Sequence, residues 1–353
     1  MSTPRISVLM PVYNAADYVA EAIESILAQT WDDFEFIIID NGSTDGLSGA
    51  IIGSYVDSRI RVISNEVNVP PPCALNQGLA LAQGAYVARM DADDVALPRR
   101  FEEQVRFIES HPQCAVVGTQ AMHIDESGKD IYAPRYPTEQ DEIFWRLLST
   151  SPLGHSSVLM LRAPVQGLGG YDEGLRNATD YALWSTMWRE GYEIHNLAER
   201  LMLIRLHANS DERVSDPDAV LKEVAGVTQT NFARLLDLAI TDEQALAWTR
   251  LHRNSPQAQR GDVALALNVV EQAANRVGPR CNTFYALTMF GLALSPASIS
   301  PPQRFFMFLK ALNRTMRSQD RVHSALFVLQ QWILNGRAAA RLRFAWRGRF
   351  LSR

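Results

Sequence analysis

Cysteine is scarce in this chain of 353 residues: Cys73, Cys114 and Cys281 lie far apart, with no CxxC pair. Such a set builds neither a disulfide framework nor a zinc knuckle, and it suits a reducing compartment. Long apolar runs are missing as well. The longest charge-free stretch, Cys281 to Gln303, contains three prolines, and its apolar heart from Phe284 to Leu294 is too short to span a bilayer. Met1 to Arg5 leads straight into an apolar segment without a small-residue cleavage pattern, so no secretory leader is expected. Repeats and low-complexity tracts are absent. What remains is a globular composition, 47% apolar and 21% charged, in a chain long enough for about two domains.

Charge is unevenly spread. The net charge is −5, yet Arg304 to Arg353 carries eleven Lys/Arg and one acid, Asp320, leaving 23 basic and 38 acidic residues elsewhere. Phe305, Phe306, Phe308, Phe327, Trp332, Phe344, Trp346 and Phe350 are interleaved with those basic residues. Two compatible readings follow: a helical cap with its aromatic face on the core, or a basic amphipathic surface for anionic lipid. Nucleic acid is not expected, because no binding motif accompanies the charge. The expected location is the cytoplasm, with residues 304–353 as a candidate contact to the inner face of the cytoplasmic membrane.

The periodicity divides the chain. Ile6 to Val12, Phe34 to Ile39, Ile60 to Ile63, Ala85 to Met90 and Cys114 to Val117 read as short buried strands. Helical spacing falls between them at Val19 to Leu27, Cys73 to Ala82 and Phe101 to Glu109. That alternation predicts an α/β fold with a mostly parallel sheet covered on both faces. His155 to Leu161 and Leu201 to Leu206 read as further strands, and Tyr181 to Glu190 as a helix. Beyond Asp216-Pro217 strand signals fade, and Ala219 to Leu238, Asp262 to Asn275 and Arg304 to Leu334 read as helices. Two regions are expected, 1–215 and a helical 216–353.

Ligands of such sheets bind outside the carboxyl ends of the strands. Polar clusters stand at three of those ends. Asp91-Ala92-Asp93-Asp94 follows the fourth strand; Asp91 and Asp93, two apart on extended backbone, face the same way. Paired carboxylates of this kind suit Mg²⁺ or Mn²⁺ shared with a diphosphate, or else a solvated turn. Pro11-Val12-Tyr13-Asn14 and Asp40-Asn41-Gly42-Ser43 follow the first two strands and read as a nucleoside site or as turn and cap chemistry. Thr179-Asp180-Tyr181 opens a helix, where Asp180 is a general base or a first-turn acid. Arg205-Leu206-His207 closes the last strand, with His207 a metal ligand, a phosphate contact or a structural residue.

Taken in order, these segments, with Asn76-Gln77-Gly78, Gly84 and Gly170-Tyr171-Asp172-Glu173, resemble a family 2 glycosyltransferase of the GT-A fold over roughly Ile6 to Ser210. The resemblance implies an inverting, nucleotide-sugar-dependent transferase with a Rossmann-like GT-A domain over 1–215. A UDP-sugar is the favoured donor, and a glycan or lipid-linked hydroxyl in surface polysaccharide or glycolipid assembly the acceptor. By the same resemblance Pro11, Val12, Tyr13, Asn14, Asp40, Asn76, Arg89, Asp91 and Ala92 would line the donor. Asp91, Asp93 and His207 would hold Mn²⁺ or Mg²⁺, Asp180 would be the catalytic base, and Thr179 and Arg205 would face the acceptor or phosphate. Asn41 stands where the family commonly has an acid, and Thr179 where it most often has Glu. The alternatives are a non-catalytic binding protein of this fold at a membrane, or a nucleotidyltransferase, which should carry a Gly-rich basic loop that Pro11 to Ala16 lacks.

Overall fold

The computed structural model describes residues 3–208, 216–253, 255 and 257–277. Four early strands, β1 (Ile6–Val12), β2 (Phe34–Asp40), β3 (Ile60–Ser64) and β4 (Tyr86–Arg89), pair in parallel in the order β3-β2-β1-β4. β1 is buried along nearly its whole length, as an interior parallel strand requires. β3, at the edge, is nowhere fully buried.

Helices α1 (Val19–Leu27), α2 (Ser48–Gly53), α3 (Pro71–Leu81) and α4 (Arg100–Ser110) connect and cover these strands. Val19, Ala22, Ile23 and Ile26 form the buried stripe of α1 and share a core with Val8, Met10, Val12, Phe101 and Val105. On the other face, α3 starts at Pro71, where a missing N–H costs nothing. It lies close to the sheet at Gly78, where an added Cβ would come within 3.0 Å of Ile39 Cδ1 and 3.1 Å of Leu9 Cδ2.

The sheet continues through β5 (Val95–Ala96), β6 (Cys114–Ile124), β7 (Asp130–Tyr132), β8 (Leu159–Leu161) and β9 (Glu193–Arg205), in the order β3-β2-β1-β4-β8-β6-β9-β5 with β7 beside β6. The expected parallel pairing holds for β1 to β4 and for β6 with β9. β8 runs antiparallel between β4 and β6, and β5 and β7 are antiparallel additions. Only the end of the expected strand from His155 to Leu161 is extended, because His155–Ser157 forms a 3₁₀ turn. Leu201 to Leu206 is the last part of the longer β9. Its pairing with β5, Leu203 opposite Val95 and Met202 opposite Ala96, returns the chain to the acidic segment after β4. Exposed Ala198, Glu199 and Arg200 interrupt the apolar pattern of β9 and hide its length from sequence. Three helices complete this region: α5 (Gln140–Arg146), α6 (Arg162–Gly167) and α7 (Thr179–Arg189).

The described residues fall into two compact units, 3–146 with 151–208, and 147–150 with those from 216 to 277. The described part of the second contains α8 (Pro217–Leu236), α9 (Asp242–His252) and α10 (Arg260–Val277). Asp216 caps α8 and a Thr241–Gln244 capping box starts α9. The short segment 147–150 is built in: Trp248 Nε1 donates to Leu148 O at 2.7 Å and Asn231 Nδ2 to Leu147 O at 2.6 Å. The helix expected over Arg304 to Leu334, the basic aromatic tail and Cys281 lie outside the described residues. Among the described residues no helix is long and apolar enough to cross a membrane.

Ser7, fully buried in β1, accepts from Gly84 N at 2.8 Å and Gln83 N at 3.1 Å, which presses the turn before β4 onto β1. An added Cβ at Gly84 would stand 2.6 Å from Ser7 N and 2.7 Å from Ile6 C, both rigid main-chain atoms. Gly84→Ala should therefore destabilise the protein by about 1–3 kcal/mol in urea unfolding. An unchanged midpoint would show that the turn yields freely.

Candidate active site

Asn14 is central to how the loops after β1 and β2 are held together. Asn14 has φ 50°, a left-handed conformation that Asn tolerates better than most residues. Its Oδ1 accepts from Thr44 N at 2.7 Å and Asp45 N at 3.2 Å, and its own N–H donates to Ser43 Oγ at 3.1 Å. Asp40 Oδ1 accepts from Ser43 N at 3.1 Å, ordering the same turn. Asn41 is buried and fully engaged: Nδ2 donates to Asn68 Oδ1 and Val69 O, both at 2.8 Å, while Oδ1 accepts from Asn65 Nδ2 at 2.9 Å. A carboxylate there would lack the donors, so the amide is what fits the 65–69 loop. Gly42, at φ 72°, lies so close to Val67 and Asn68 that a Cβ would come within 2.6 Å of main chain. Tyr13 projects 45% exposed beside these turns, with Pro11 half-buried and Val12 buried beneath.

At the end of β4, Arg89 is 6% exposed, and its Nη1 lies 2.5 Å from Asp91 Oδ1. Neither its Nε nor that Nη1, both buried, has a well-aligned hydrogen bond, so the contact to Asp91 is one of charge. Burial opposes the charge of Arg89, but Asp91 and other neighbours outweigh it and raise its pKa. Ala92 is buried. Asp93 Oδ2 accepts from His207 Nε2 at 2.9 Å. Burial, then the neighbouring Asp91, raise the Asp93 carboxyl above its usual range, and His207 opposes them. Asp94 is 2% exposed; burial, then Asp93 and Asp91, push its carboxyl well up, although Arg205 N donates to it at 2.9 Å.

Two further arginines fix this loop. Arg205 spends its guanidinium within the protein, on Glu21 Oε2 at 2.5 Å, Asp93 O at 3.0 Å, Asp125 O at 3.2 Å and Glu126 O at 3.3 Å, and lies over the Tyr18 ring. Fully buried Arg100 donates to Arg89 O at 2.7 Å and Val158 O at 3.1 Å, joining the end of β4 to the chain before β8. Burial lowers its pKa to about 9.

Asp180, in the first turn of α7, faces Arg89 and Tyr171 electrostatically. Burial raises its carboxyl, while Ser151, the main-chain N–H of Tyr181 and Arg89 pull the other way. Thr179 beside it is buried. Buried Tyr171 is fixed at both ends. Asn76 Nδ2 donates to Tyr171 O and Tyr171 N donates to Asn76 Oδ1, each at 2.9 Å, and the phenol hydroxyl is hydrogen-bonded to His155 Nε2 at 3.0 Å. Burial, opposed by Arg89, pushes the Tyr171 phenol well above its usual range and keeps it protonated.

The fold thus brings Arg89, Asp91, Asp93, Asp180 and His207 into one neighbourhood, and Tyr13, Asn14 and Asp40 onto the adjoining strand ends. Two expected ligand-facing residues have protein partners as well. Asn76 bonds through its amide to the Tyr171 main chain and Glu173. Arg205 directs its guanidinium to Glu21 and three carbonyls. Asp91, Asp93 and His207 do not meet as a ready-made cation cage: among the described residues no group of three or more acids, His or Cys is so arranged. Asp91 is turned to Arg89 instead. Sequence reasoning missed Arg100, His155 and Tyr171 as parts of the site. Tyr171 stood inside a quoted segment, whereas nothing about Arg100 or His155 in sequence says which carbonyl or ring it will meet.

Comparison with known proteins bears on the family and the fold. The family model described as Glycosyl transferase family 2 matches residues 7–169. The Putative glycosyltransferase EpsE of Bacillus subtilis (strain 168) is 36% identical over 219 residues, covering 61% of this chain and 77% of that protein. The Amylovoran biosynthesis glycosyltransferase AmsE of Erwinia amylovora is 31% identical over 208 residues, covering 58% of this chain and 77% of that protein. Among solved structures, S. aureus TarS 1-349 in complex with UDP-GlcNAc aligns with a TM-score of 0.57 at 16% identity, covering 93% of this chain and 92% of that one. The α/β fold is the GT-A fold that the resemblance implied.

Burial, and next the charge of Arg89, hold the His155 imidazole well below 6.5. In the unfolded chain it protonates near 6.5, so its contribution to stability is present above that pH and is lost as pH falls towards the folded value. Between pH 6.5 and 5.5 the wild type should lose up to about 1 kcal/mol more than His155→Gln in urea unfolding. Equal slopes would mean that His155 titrates alike in both states.

Proposed function

The chain belongs to glycosyltransferase family 2 and is a glycosyltransferase; within that class we propose that it moves a sugar from a UDP-sugar to an acceptor hydroxyl, with inversion at the anomeric carbon. The observation that carries this reading is Arg89, a buried cation that acts on Asp91 on one side and on Asp180 on the other. It joins a phosphate-side acid and a candidate base in one site. TarS, solved with UDP-GlcNAc, supports the choice of a UDP-sugar. AmsE, named for amylovoran biosynthesis, supports a growing polysaccharide or lipid-linked glycan as acceptor. The catalytic region is residues 1–215, and the basic segment 304–353 meets the inner membrane surface.

A divalent cation fits the donor set. Asp91 and Asp93 offer hard oxygens and His207 an imidazole nitrogen, the ligand types Mn²⁺ and Mg²⁺ accept. Asp93, raised by burial and by Asp91, is a carboxylate in need of added positive charge. Bound there by Asp91, Asp93 and His207, Mn²⁺ or Mg²⁺ would supply Lewis-acid stabilisation of charge on the departing diphosphate. The chain's own residues do the rest. Tyr13, Asn14 and Asp40 receive the nucleoside over Pro11 and Val12. Arg89 offers its unused Nε to the phosphates, and the close-lying main chain at Ala92 borders them. The acceptor oxygen bonds to the anomeric carbon as the sugar–phosphate bond breaks on the opposite side, and Asp180 takes the acceptor's proton on a carboxylate oxygen. Its raised pKa makes it a stronger base than an exposed Asp, and the N-terminal turn of α7, beginning at Thr179, keeps it ionised.

Asp180→Asn should lower kcat by about 10²–10⁴-fold while UDP affinity stays near wild type. Near-normal turnover would remove Asp180 as the base. Chelation with EDTA should stop transfer and added Mn²⁺ or Mg²⁺ restore it. Full activity in chelator would show that the acidic loop is structural. NMR of the product linkage decides inversion.

A further inference from the structure

The acidic loop already contains a cation of its own. Arg89 is 6% exposed, its Nη1 sits 2.5 Å from Asp91 Oδ1 as an ion pair without hydrogen-bond alignment, and its Nε has no partner. A buried guanidinium needs a counter-charge, and one left with an unused N–H is incompletely satisfied. Asp91 is the more accessible partner, with a side chain 37% exposed. Asp93, the other acid expected on a cation, is turned to His207. Among the described residues no three ligating groups converge, and one of the carboxylates concerned is paired with the arginine. A divalent ion approaching Asp91 therefore competes with Arg89 for the same oxygen. Once released, Nη1 joins the unused Nε as a charged donor of the kind that binds phosphate oxygens.

We propose that Arg89 is the resident counter-charge of Asp91, exchanged when a divalent cation and a nucleotide diphosphate arrive together: the carboxylate passes to the cation and the guanidinium to the diphosphate. This rests on the reading of the acidic loop as a cation site. No charge is left unpaired at either stage, and cation and nucleotide each favour binding of the other. By itself, the protein holds the cation weakly.

The test is Mn²⁺ titration of the full chain followed by electron paramagnetic resonance, without nucleotide. Arg89→Met removes the competitor and should bind Mn²⁺ roughly tenfold more tightly than wild type, the size of an ordinary coupling between sites. Arg89→Lys retains a charge near Asp91 and should stay close to wild type. Arg89→Met binding no more tightly than wild type overturns the proposal. Wild type that takes up Mn²⁺ neither alone nor with UDP overturns the cation-site reading, and this inference with it. Should Arg89→Met fail to fold, the wild type answers by NMR. The Arg89 Nε–H resonance, identified by its absence in Arg89→Lys, should shift when Mg²⁺ and UDP are added together. A resonance unmoved at saturation overturns the exchange.

Discussion

Three carboxylates within four residues, Asp91, Asp93 and Asp94, stand at the end of a buried strand, and so much negative charge is tolerable there only where positive charge is fixed against it. Three arginines supply it from different elements. Arg89 comes from β4 itself and pairs with Asp91. Arg205, from the end of β9, binds the Asp93 carbonyl by its guanidinium and the Asp94 carboxylate by its main-chain N–H. Arg100, from α4, is buried beneath the Arg89 carbonyl. The path of β9 follows from this need, because its pairing with β5 is what delivers Arg205 and His207 to the loop.

The nucleotide side is built from amides rather than charges. Asn14 joins the turns after β1 and β2, and Asn41 joins the second of them to the 65–69 loop. Each uses donor and acceptor at once, which a carboxylate cannot do. Asn76 does the same for the Tyr171 main chain, and so places a buried phenol between His155 and the acids. The polar residues in contact with these loops serve geometry first. That leaves exposed Tyr13 and the incompletely satisfied guanidinium of Arg89 as groups little committed to the protein's own hydrogen bonds.

Much of this was legible from residues in order. The apolar runs of β1 and β2 and the helical stripe of α1 are local patterns with one period each, and they fold where they read. β9 was legible only at its end, because its middle carries exposed Glu199 and Arg200 over an irregular register with β6. α9 was not legible, since its capping box sits in a polar stretch without a strong apolar stripe. Asn76 and Arg205 read as ligand residues because they stand beside polar clusters. Their side chains also hold carbonyls and carboxylates of distant segments, which no local pattern reveals.

By itself the sequence determined where strands end and which acids, amides and aromatics stand at those ends, because strand and turn preferences act over a few residues. It also determined the excess of carboxylates after β4. Only the tertiary structure decided how that excess is balanced, because the balancing groups come from distant parts of the chain: Arg205 meets Glu21 across 184 positions, and His207 meets Asp93 across 114. Which oxygen of Asp91 is held, and by which nitrogen of Arg89, depends on how closely β4, β8 and β9 pack, and packing is a property of the folded chain alone.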